Sequence, residues 1–180
     1  MPEFHRLIEQ QIPRLRRYAR ALTRNPQRGD DLVQDTLVRA LAKQHLWQPG
    51  TNLGAWLFTI MHNQNVNLVR RNLREGSAES LSEWSDKLAG TTSDPIARRQ
   101  LCELEQAIGD LPEDQRQVIL LIGLEGMNYA EAAAVINVPV GTVRSRVSRA
   151  REALRQMMGI SEKRYTAETL QVGTPPLAAA

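Results

Sequence analysis

The sequence of 180 residues contains little cysteine and few aromatic residues. Its single thiol, Cys102, excludes an intrachain disulfide framework and any zinc site built from several cysteines. Aromatic residues make up 4% of the chain, which is low for a sheet-rich fold. No apolar run approaches the roughly 18 residues that span a bilayer, and the N-terminus lacks a signal-peptide core. We therefore expect a cytoplasmic protein with no membrane contact of its own.

Lysine is also scarce, since only three of the 23 basic residues are Lys and the rest are Arg. Arginine makes forked contacts with phosphates and base edges. Residues 1–71 carry 11 basic and 5 acidic groups, 72–94 carry 2 and 5, and 132–159 carry 5 and 1. Two basic segments separated by an acidic one favour two surfaces for a polyanion, with solvated helix faces as the plainer alternative.

Apolar residues follow the helical period almost throughout, and no segment alternates with the period of a strand. The predicted fold class is all-α: two small helical domains joined by a flexible linker, with a helix-turn-helix in the C-terminal one. The predicted helices cover about residues 5–24 with a break near Pro13, 31–45 with Asp30 as N-cap, 53–72, 95–109, 112–124, 129–136 and 140–157. The predicted domains are 1–71 and 95–159, with a linker over 72–94 and a mostly disordered tail over 160–180.

The sharpest local pattern is a predicted helix-turn-helix over residues 129–157. A short alanine-rich helix is followed by the tight turn 137–140 and a second helix, on which Val143, Val147, Ala150 and Leu154 share one face. The opposite face carries arginine and serine, and a helix of this kind fits the major groove of DNA. We therefore predict a DNA-binding surface, although an arginine-rich surface helix is the alternative.

The predicted helix over residues 53–72 has a second face of aromatic, amide and guanidinium groups. It consists of Trp56, Thr59, Asn63, Asn67 and Arg70, and the preceding loop adds Trp47. Rings stack on unstacked bases and amides read Watson–Crick edges, so this face suits single-stranded DNA. The alternative is that Trp56 packs in the core and the asparagines are merely exposed.

Several runs in the chain resemble a known family. In the C-terminal half these runs are Leu111-Pro112-Glu113-Asp114-Gln115-Arg116, Tyr129-Ala130-Glu131-Ala132-Ala133 and Val138-Pro139-Val140-Gly141-Thr142-Val143-Arg144-Ser145-Arg146. They resemble region 4 of extracytoplasmic-function (ECF) sigma factors, which are small bacterial members of the sigma-70 family. In the first half, Asp30-Asp31-Leu32-Val33-Gln34-Asp35-Thr36 resembles region 2.2, and Ala55-Trp56-Leu57-Phe58 through Asn63 resembles regions 2.3 and 2.4. The resemblance covers roughly residues 5–158.

This resemblance implies a protein without catalytic residues, cofactor or metal, whose partners are core RNA polymerase, promoter DNA and an anti-sigma factor. The residues implied in core polymerase binding are Asp31, Gln34, Asp35 and Arg39. Those implied at the −10 element are Trp47, Trp56, Asn63, Asn67 and Arg70. Those implied at the −35 element are Thr142, Arg144, Ser145, Ser148, Arg149 and Arg151.

Two other functions remain open from the sequence. The C-terminal motif alone also fits a helix-turn-helix regulator that binds its operator as a dimer without core polymerase. An enzyme is disfavoured because the sequence has no metal-ligand spacing or glycine-rich phosphate loop, and because His5, His45 and His62 belong to no plausible catalytic arrangement.

Overall fold

The computed structural model describes residues 2–75 and 94–160, and within these residues every regular element is helical. Seven α-helices follow one another: α1 (Pro2–Thr23), α2 (Pro26–Ala42), α3 (Leu53–Glu75), α4 (Pro95–Asp110), α5 (Glu113–Ile119), α6 (Tyr129–Ile136) and α7 (Val140–Met157). A 3₁₀ turn lies at Gln44–Leu46, and a π-helical turn over Leu120–Leu124 continues α5. The predicted all-α class is confirmed. None of these helices combines the length and apolarity needed to cross a membrane.

The predicted linker and tail are only partly within the described residues. Helix α3 ends at Glu75, so its last turn lies inside the segment predicted as a linker from residue 72 onward. Residues 76–93 and 161–180 lie outside the described residues, so the predictions of a flexible linker and a disordered tail fall there and stay predictions.

Helices α1, α2 and α3 form the N-terminal half around a buried aromatic and aliphatic core. Leu15, Leu57 and Met61 are fully buried, and the Tyr18 and Phe58 rings meet edge to face with centroids 5.1 Å apart. The expected break at Pro13 is wrong, because α1 continues through it. A proline ring leaves one carbonyl without its helical donor, and Pro13 lies on the exposed side, where water can satisfy that carbonyl.

Helix α2 begins earlier than predicted. Asn25 rather than Asp30 is its N-cap: the Asn25 Oδ1 accepts a hydrogen bond from the Arg28 backbone N–H at 3.1 Å, and Pro26 occupies the first helical position. Asp30 instead accepts two hydrogen bonds from the Arg20 guanidinium, at 3.0 and 2.8 Å, which tie α2 to α1. The pairing with Arg20 holds the pKa of Asp30 below its usual value.

Helices α4 to α7 form the C-terminal half, and its helix-turn-helix agrees with the sequence prediction. A capping box starts α6: Asn128 Oδ1 accepts from the Glu131 N–H at 2.9 Å, and Glu131 Oε2 accepts from the Asn128 N–H at 3.0 Å. Asn137 ends α6 in the left-handed conformation with φ of 53°, which turns the chain sharply into α7. Val143 and Val147 are buried against the rest of this half.

The two halves pack against each other, whereas the sequence led us to expect separate bodies joined only by a linker. Helix α1 contacts α4, α5 and the π-helical turn, and α3 contacts α6. One apolar cluster joins residues of both halves, such as Leu57 and Phe58 with Leu121 and Val135. Helices α1 and α3 therefore bury apolar side chains on more than the single stripe that faces their own half.

Candidate nucleic-acid and polymerase interfaces

Helix α7 presents the predicted DNA-reading side chains to solvent. Arg144, Ser145, Ser148, Arg149 and Arg151 are exposed and Thr142 is half-buried. Because the other face of α7 is fixed in the core, the helix has one available orientation for a groove. Glu152 is the only acidic residue of α7, so the exposed face is strongly positive.

A chain of hydrogen bonds orders the start of this face. The Ser145 hydroxyl donates to the Thr142 carbonyl at 2.9 Å and accepts from the Arg149 guanidinium at 3.4 Å. Among the described residues, no side chain caps the N-terminus of α7, so its first backbone N–H groups are available to a phosphate. Arg146 has a different role, because its Nε lies 3.2 Å from the Asp114 carboxylate and its side chain is only 24% exposed.

The predicted base-binding face of α3 divides into two parts. Asn63, Asn67 and Arg70 are exposed, as a base-contacting role needs. The two tryptophans of the prediction are instead half-buried around Phe4, which lies 5.3 Å from the Trp47 ring and 6.4 Å from the Trp56 ring between centroids. The alternative, in which Trp56 packs in the core, therefore holds for much of its surface. Within residues 2–75 and 94–160, the buried Trp47 Nε1 has no hydrogen-bond partner.

Helix α2 carries the residues implied in polymerase binding on one exposed face. Asp31, Gln34, Asp35 and Arg39 all face solvent, while the intervening Leu32 and Thr36 are buried. Two apolar side chains adjoin this face, Val38 at 66% exposure and Leu41 at 38%. A surface of acidic, polar and unburied apolar groups is suited to a protein partner.

A groove of about 360 Å³ between α2 and α3 joins two of the predicted surfaces. Asp31 and Asp35 line one side and Asn67 lies on the other, with Arg71 further along α3. The predicted polymerase face and the predicted −10 face are therefore adjacent edges of one groove. Spacing along the sequence did not indicate this juxtaposition.

A buried ion pair between the halves involves a residue that the sequence analysis missed. The Glu125 side chain is fully buried, and its carboxylate lies 3.0 Å from Arg14 Nε and 3.0 Å from Arg17 Nη2, both on α1. The two guanidinium groups also donate to the backbone carbonyls of Glu125 and Leu124, at 3.2 and 3.3 Å. The sequence offers one signal for it: residues 1–71 are basic, whereas residues 95–131 carry 3 basic and 7 acidic groups.

Further polar contacts also join the two halves. Arg116 Nη1 donates to the Leu22 carbonyl at 3.1 Å, and Arg24 pairs with Asp110 at 3.5 Å. Burial, followed by the charges of Glu125 and Glu113, raises the pKa of Tyr18. Burial and the charge of Arg146 on α7 lower the pKa of His62 on α3.

Comparison with known proteins gives matches over both halves. Residues 8–62 match the family model described as the Sigma2 domain of PhyR, and residues 103–154 match that of sigma-70 region 4. The ECF RNA polymerase sigma factor EcfG of Rhodopseudomonas palustris is 41% identical over 147 residues, which are 82% of this chain and 80% of EcfG.

Two solved structures are also similar to this chain. The sigma factor RpoE of Bartonella quintana, in complex with the anti-sigma factor NepR, matches with a TM-score of 0.78 and 34% identity over 90% of this chain and 100% of RpoE. CnrH, in complex with the cytosolic domain of CnrY, matches with a TM-score of 0.63 and 28% identity over 88% of this chain and 89% of CnrH. CnrH of Cupriavidus metallidurans is 33% identical to this chain over 138 residues, which are 72% of each protein.

The helices, the helix-turn-helix and the exposed arginine face together define a helical DNA-binding protein of the sigma-70 type. Within that class, the extent and identity of the match to EcfG show that the chain belongs to the family of ECF RNA polymerase sigma factors.

Proposed function

We propose that this protein binds core RNA polymerase and directs it to promoters by reading the −10 and −35 elements. The observation that carries the proposal is the presence, in one chain of this family, of a solvent-facing arginine helix and a separate acidic and polar face on α2. A regulator that works without polymerase needs only the first of these surfaces.

At the −35 element, Arg144 and Arg149 contact base edges in the major groove while Thr142, Ser145, Ser148 and Arg151 contact bases or phosphates. Arginine forms paired hydrogen bonds with guanine, and serine or threonine hydroxyls bond to either partner. The unblocked start of α7 adds backbone N–H groups for a phosphate.

At the −10 element, the exposed side chains of Asn63, Asn67 and Arg70 contact the displaced strand. Trp47 and Trp56 are half-buried, and the exposed part of each ring stacks against an unstacked base. Unstacking costs a few kcal/mol per base, and stacking on rings together with amide contacts offsets that cost.

Core polymerase is bound through Asp31, Gln34, Asp35 and Arg39 on α2. The family resemblance points to a coiled coil of the largest catalytic subunit as their target. The exposed Val38 next to these residues adds apolar area to the same surface. Charge at the rim sets orientation and association rate more than affinity.

Control by an anti-sigma factor is part of the proposal. RpoE of Bartonella quintana was solved with NepR and CnrH with CnrY, and both matches cover nearly the whole of this chain. We also propose that the protein acts in the cytoplasm and has no catalytic activity of its own, as its relatives are sigma factors.

The test is promoter-specific transcription by purified core polymerase with and without this protein. We expect run-off transcript only when both are present, and loss of transcript and of core binding when Asp35 is changed to Arg. Glu9→Arg, an exposed acidic position on α1, is the matched control and should leave both unchanged. Transcription regulation without any capture of core polymerase would favour the dimeric helix-turn-helix regulator instead.

A further inference from the structure

We propose that the groove between α2 and α3 is a binding site for a guanine nucleotide, which competes there with core polymerase and with the displaced promoter strand. Binding of the nucleotide depends on the groove alone. The competition rests on the proposed function, because it requires the partners proposed above for α2 and α3.

The groove contains a buried polar side chain that the fold does not use. Gln64 on α3 is 8% exposed and lines the groove, and its side-chain amide has no hydrogen-bond partner among the residues that the structure describes. Its neighbour Asn65 is also buried, but the Asn65 amide donates to Glu113 at 2.6 Å. A buried amide without a partner is costly, and a ligand that bonds to it removes the cost. Gln64 therefore points to a polar ligand in the groove.

The groove has the size and lining of a site for a small molecule. Its volume of about 360 Å³ lies within the range of about 300–1,000 Å³ that ligand pockets occupy. Both walls are helices, which hold side chains more precisely than loops do. Leu32 and Leu68 add apolar surface to the polar lining, as the flat ring of a base requires.

The charges in the groove require a ligand that combines N–H donors with an anionic group. Asp31 and Asp35 on α2 line one wall, and Gln64, Asn67 and Arg71 on α3 line the other. A simple cation would be repelled by Arg71 and would leave the amide N–H donors unused, whereas a simple anion would be repelled by both aspartates. A nucleotide has N–H donors on its base and negative charge on its phosphate, so it matches both kinds of group.

The carboxylates and amides select guanine among the bases. Asp31 and Asp35 are four residues apart and lie on the same face of α2, across the groove from Gln64. Guanine has adjacent N–H donors at N1 and N2, which one carboxylate accepts as a pair, and an acceptor at O6, to which an amide donates. Adenine has a lone pair at N1, which a carboxylate repels. The groove therefore favours guanine over adenine.

Two arginines lie where the phosphate of the nucleotide would reach. Helices α2 and α3 are joined by the short connection 43–52 and pack as antiparallel neighbours. Arg28 precedes Asp35 by seven residues and Arg71 follows Gln64 by seven, so both arginines lie toward the same end of the groove. Seven residues are about two turns, or about 10 Å along a helix, which a nucleotide spans from its base to its phosphate. Guanidinium groups bind phosphate in a forked geometry.

A nucleotide in this groove would occupy side chains of both proposed surfaces. Asp31 and Asp35 belong to the proposed polymerase face, and Asn67 belongs to the proposed −10 face. Ligands that need the same side chains exclude one another, and each lowers the affinity of the other by the same factor. We therefore expect a guanine nucleotide to inhibit binding of this protein to core polymerase.

The first measurement is calorimetric titration of the full-length protein with guanosine monophosphate. We expect saturable binding at one site, binding of adenosine monophosphate that is weaker by about tenfold or more, and no displacement by an equal concentration of inorganic phosphate. Gln64→Leu removes the amide at similar volume and should weaken binding of guanosine monophosphate by about tenfold or more. Gln10→Leu, at an exposed position on α1 outside the groove, is the matched control and should bind like the wild type.

A second variant tests the phosphate end, and it replaces Gln64→Leu if that variant does not fold. Arg71 is exposed, so Arg71→Gln should leave the fold intact and should weaken binding of guanosine monophosphate by about tenfold. Guanosine, which has no phosphate, should bind equally to Arg71→Gln and to the wild type. A loss of guanosine binding in Arg71→Gln would overturn the assignment of Arg71 to the phosphate.

The second measurement is affinity for core polymerase with and without guanosine monophosphate. We expect the nucleotide to weaken core binding by the wild type and to leave core binding by Gln64→Leu unaffected. Nucleotide binding without any effect on core binding overturns the competition and leaves the groove as a nucleotide site. Absence of core binding under every condition overturns the proposed function, again without affecting the groove.

Three results overturn the nucleotide site itself. The first is no saturable binding of guanosine monophosphate, or equal affinity for adenosine monophosphate. The second is full displacement by inorganic phosphate, which would mark a simple anion site at the arginines. The third is a single-stranded oligonucleotide containing guanine that binds through Gln64 more tightly than guanosine monophosphate, which would assign the groove to the displaced DNA strand.

Discussion

The side-chain amide of Asn65 on α3 donates a hydrogen bond of 2.6 Å to the carboxylate of Glu113 on α5. Asn65 is buried, whereas Asn63, two residues earlier, faces solvent. Two positions along an α-helix are about 200° apart, so the two asparagines lie on nearly opposite sides of α3. One side chain joins the halves of the protein, and the other belongs to the proposed −10 surface.

The two asparagines should therefore respond differently to the same substitution. Asn65→Ala leaves Glu113 Oε1 with only the longer hydrogen bond of 3.4 Å from the Gln117 amide and should lower the free energy of unfolding by about 1–3 kcal/mol. Asn63→Ala should change it by less than about 0.5 kcal/mol, as is usual at exposed positions, but should weaken binding of the holoenzyme to a single-stranded −10 oligonucleotide. Urea unfolding and oligonucleotide titration check the pair. Equal stabilities for the two variants would contradict this division.

Arg149 on α7 provides the test of sequence reading. Arg149→Ala should lower affinity for a −35 duplex by about 1–3 kcal/mol, relax the base preference at one position and leave the unfolding midpoint unchanged. Arg99→Ala on α4 removes another exposed arginine, one that lies outside the helix-turn-helix, and is the control. A loss that is the same on every DNA sequence would mark Arg149 as a phosphate contact, with a smaller salt slope as its signature.

The capping box of α6 should contribute to stability in a measurable way. Asn128→Ala removes the acceptor for the Glu131 N–H and should cost about 1 kcal/mol of unfolding free energy. Glu131→Gln retains an oxygen acceptor for the Asn128 N–H and should cost much less. Thermal unfolding of the two variants distinguishes them, and a larger loss from Glu131→Gln would mean that the carboxylate charge matters more than the cap.

Much of the fold could be predicted from local sequence signals. Asp94 caps α4 and the Asn128–Glu131 box caps α6, so in both cases the cap and its helix are neighbours in sequence. The starts of both helices agree with the predicted ranges 95–109 and 129–136. The start of α2 was predicted wrongly because two capping signals, Asn25-Pro26 and Asp30, lie five residues apart. Which of the two signals caps the helix depends on Arg20, which pairs with Asp30 from another helix.

The contact between the halves could not be predicted in this way. Glu125 gains its partners 108 and 111 residues away, and no local pattern encodes a pairing over that distance. The tryptophans show the same limit, because spacing placed Trp56 on the base-binding face while Phe4 at the start of α1 partly covers it. Leu41 on α2 and Leu68 on α3 follow the apolar period of their helices, yet each is 38% exposed. Helical periodicity identifies the apolar face of a helix, but it does not show how much of that face the neighbouring helices cover.

His62 should make stability depend on pH below neutrality. Burial, followed by the charge of Arg146, lowers the pKa of His62 in the folded protein, so the unfolded chain binds a proton first as pH falls. The free energy of unfolding should therefore be constant near pH 7.5 and decline as pH falls below about 6.5, until the lowered pKa is reached. His62→Gln should flatten that decline, while His45→Gln, an exposed position, should retain it. Urea unfolding at several pH values between 7.5 and 5.5 measures the slope for each variant. A slope that survives in His62→Gln would assign the proton uptake to another group and would mean that folding does not lower the pKa of His62.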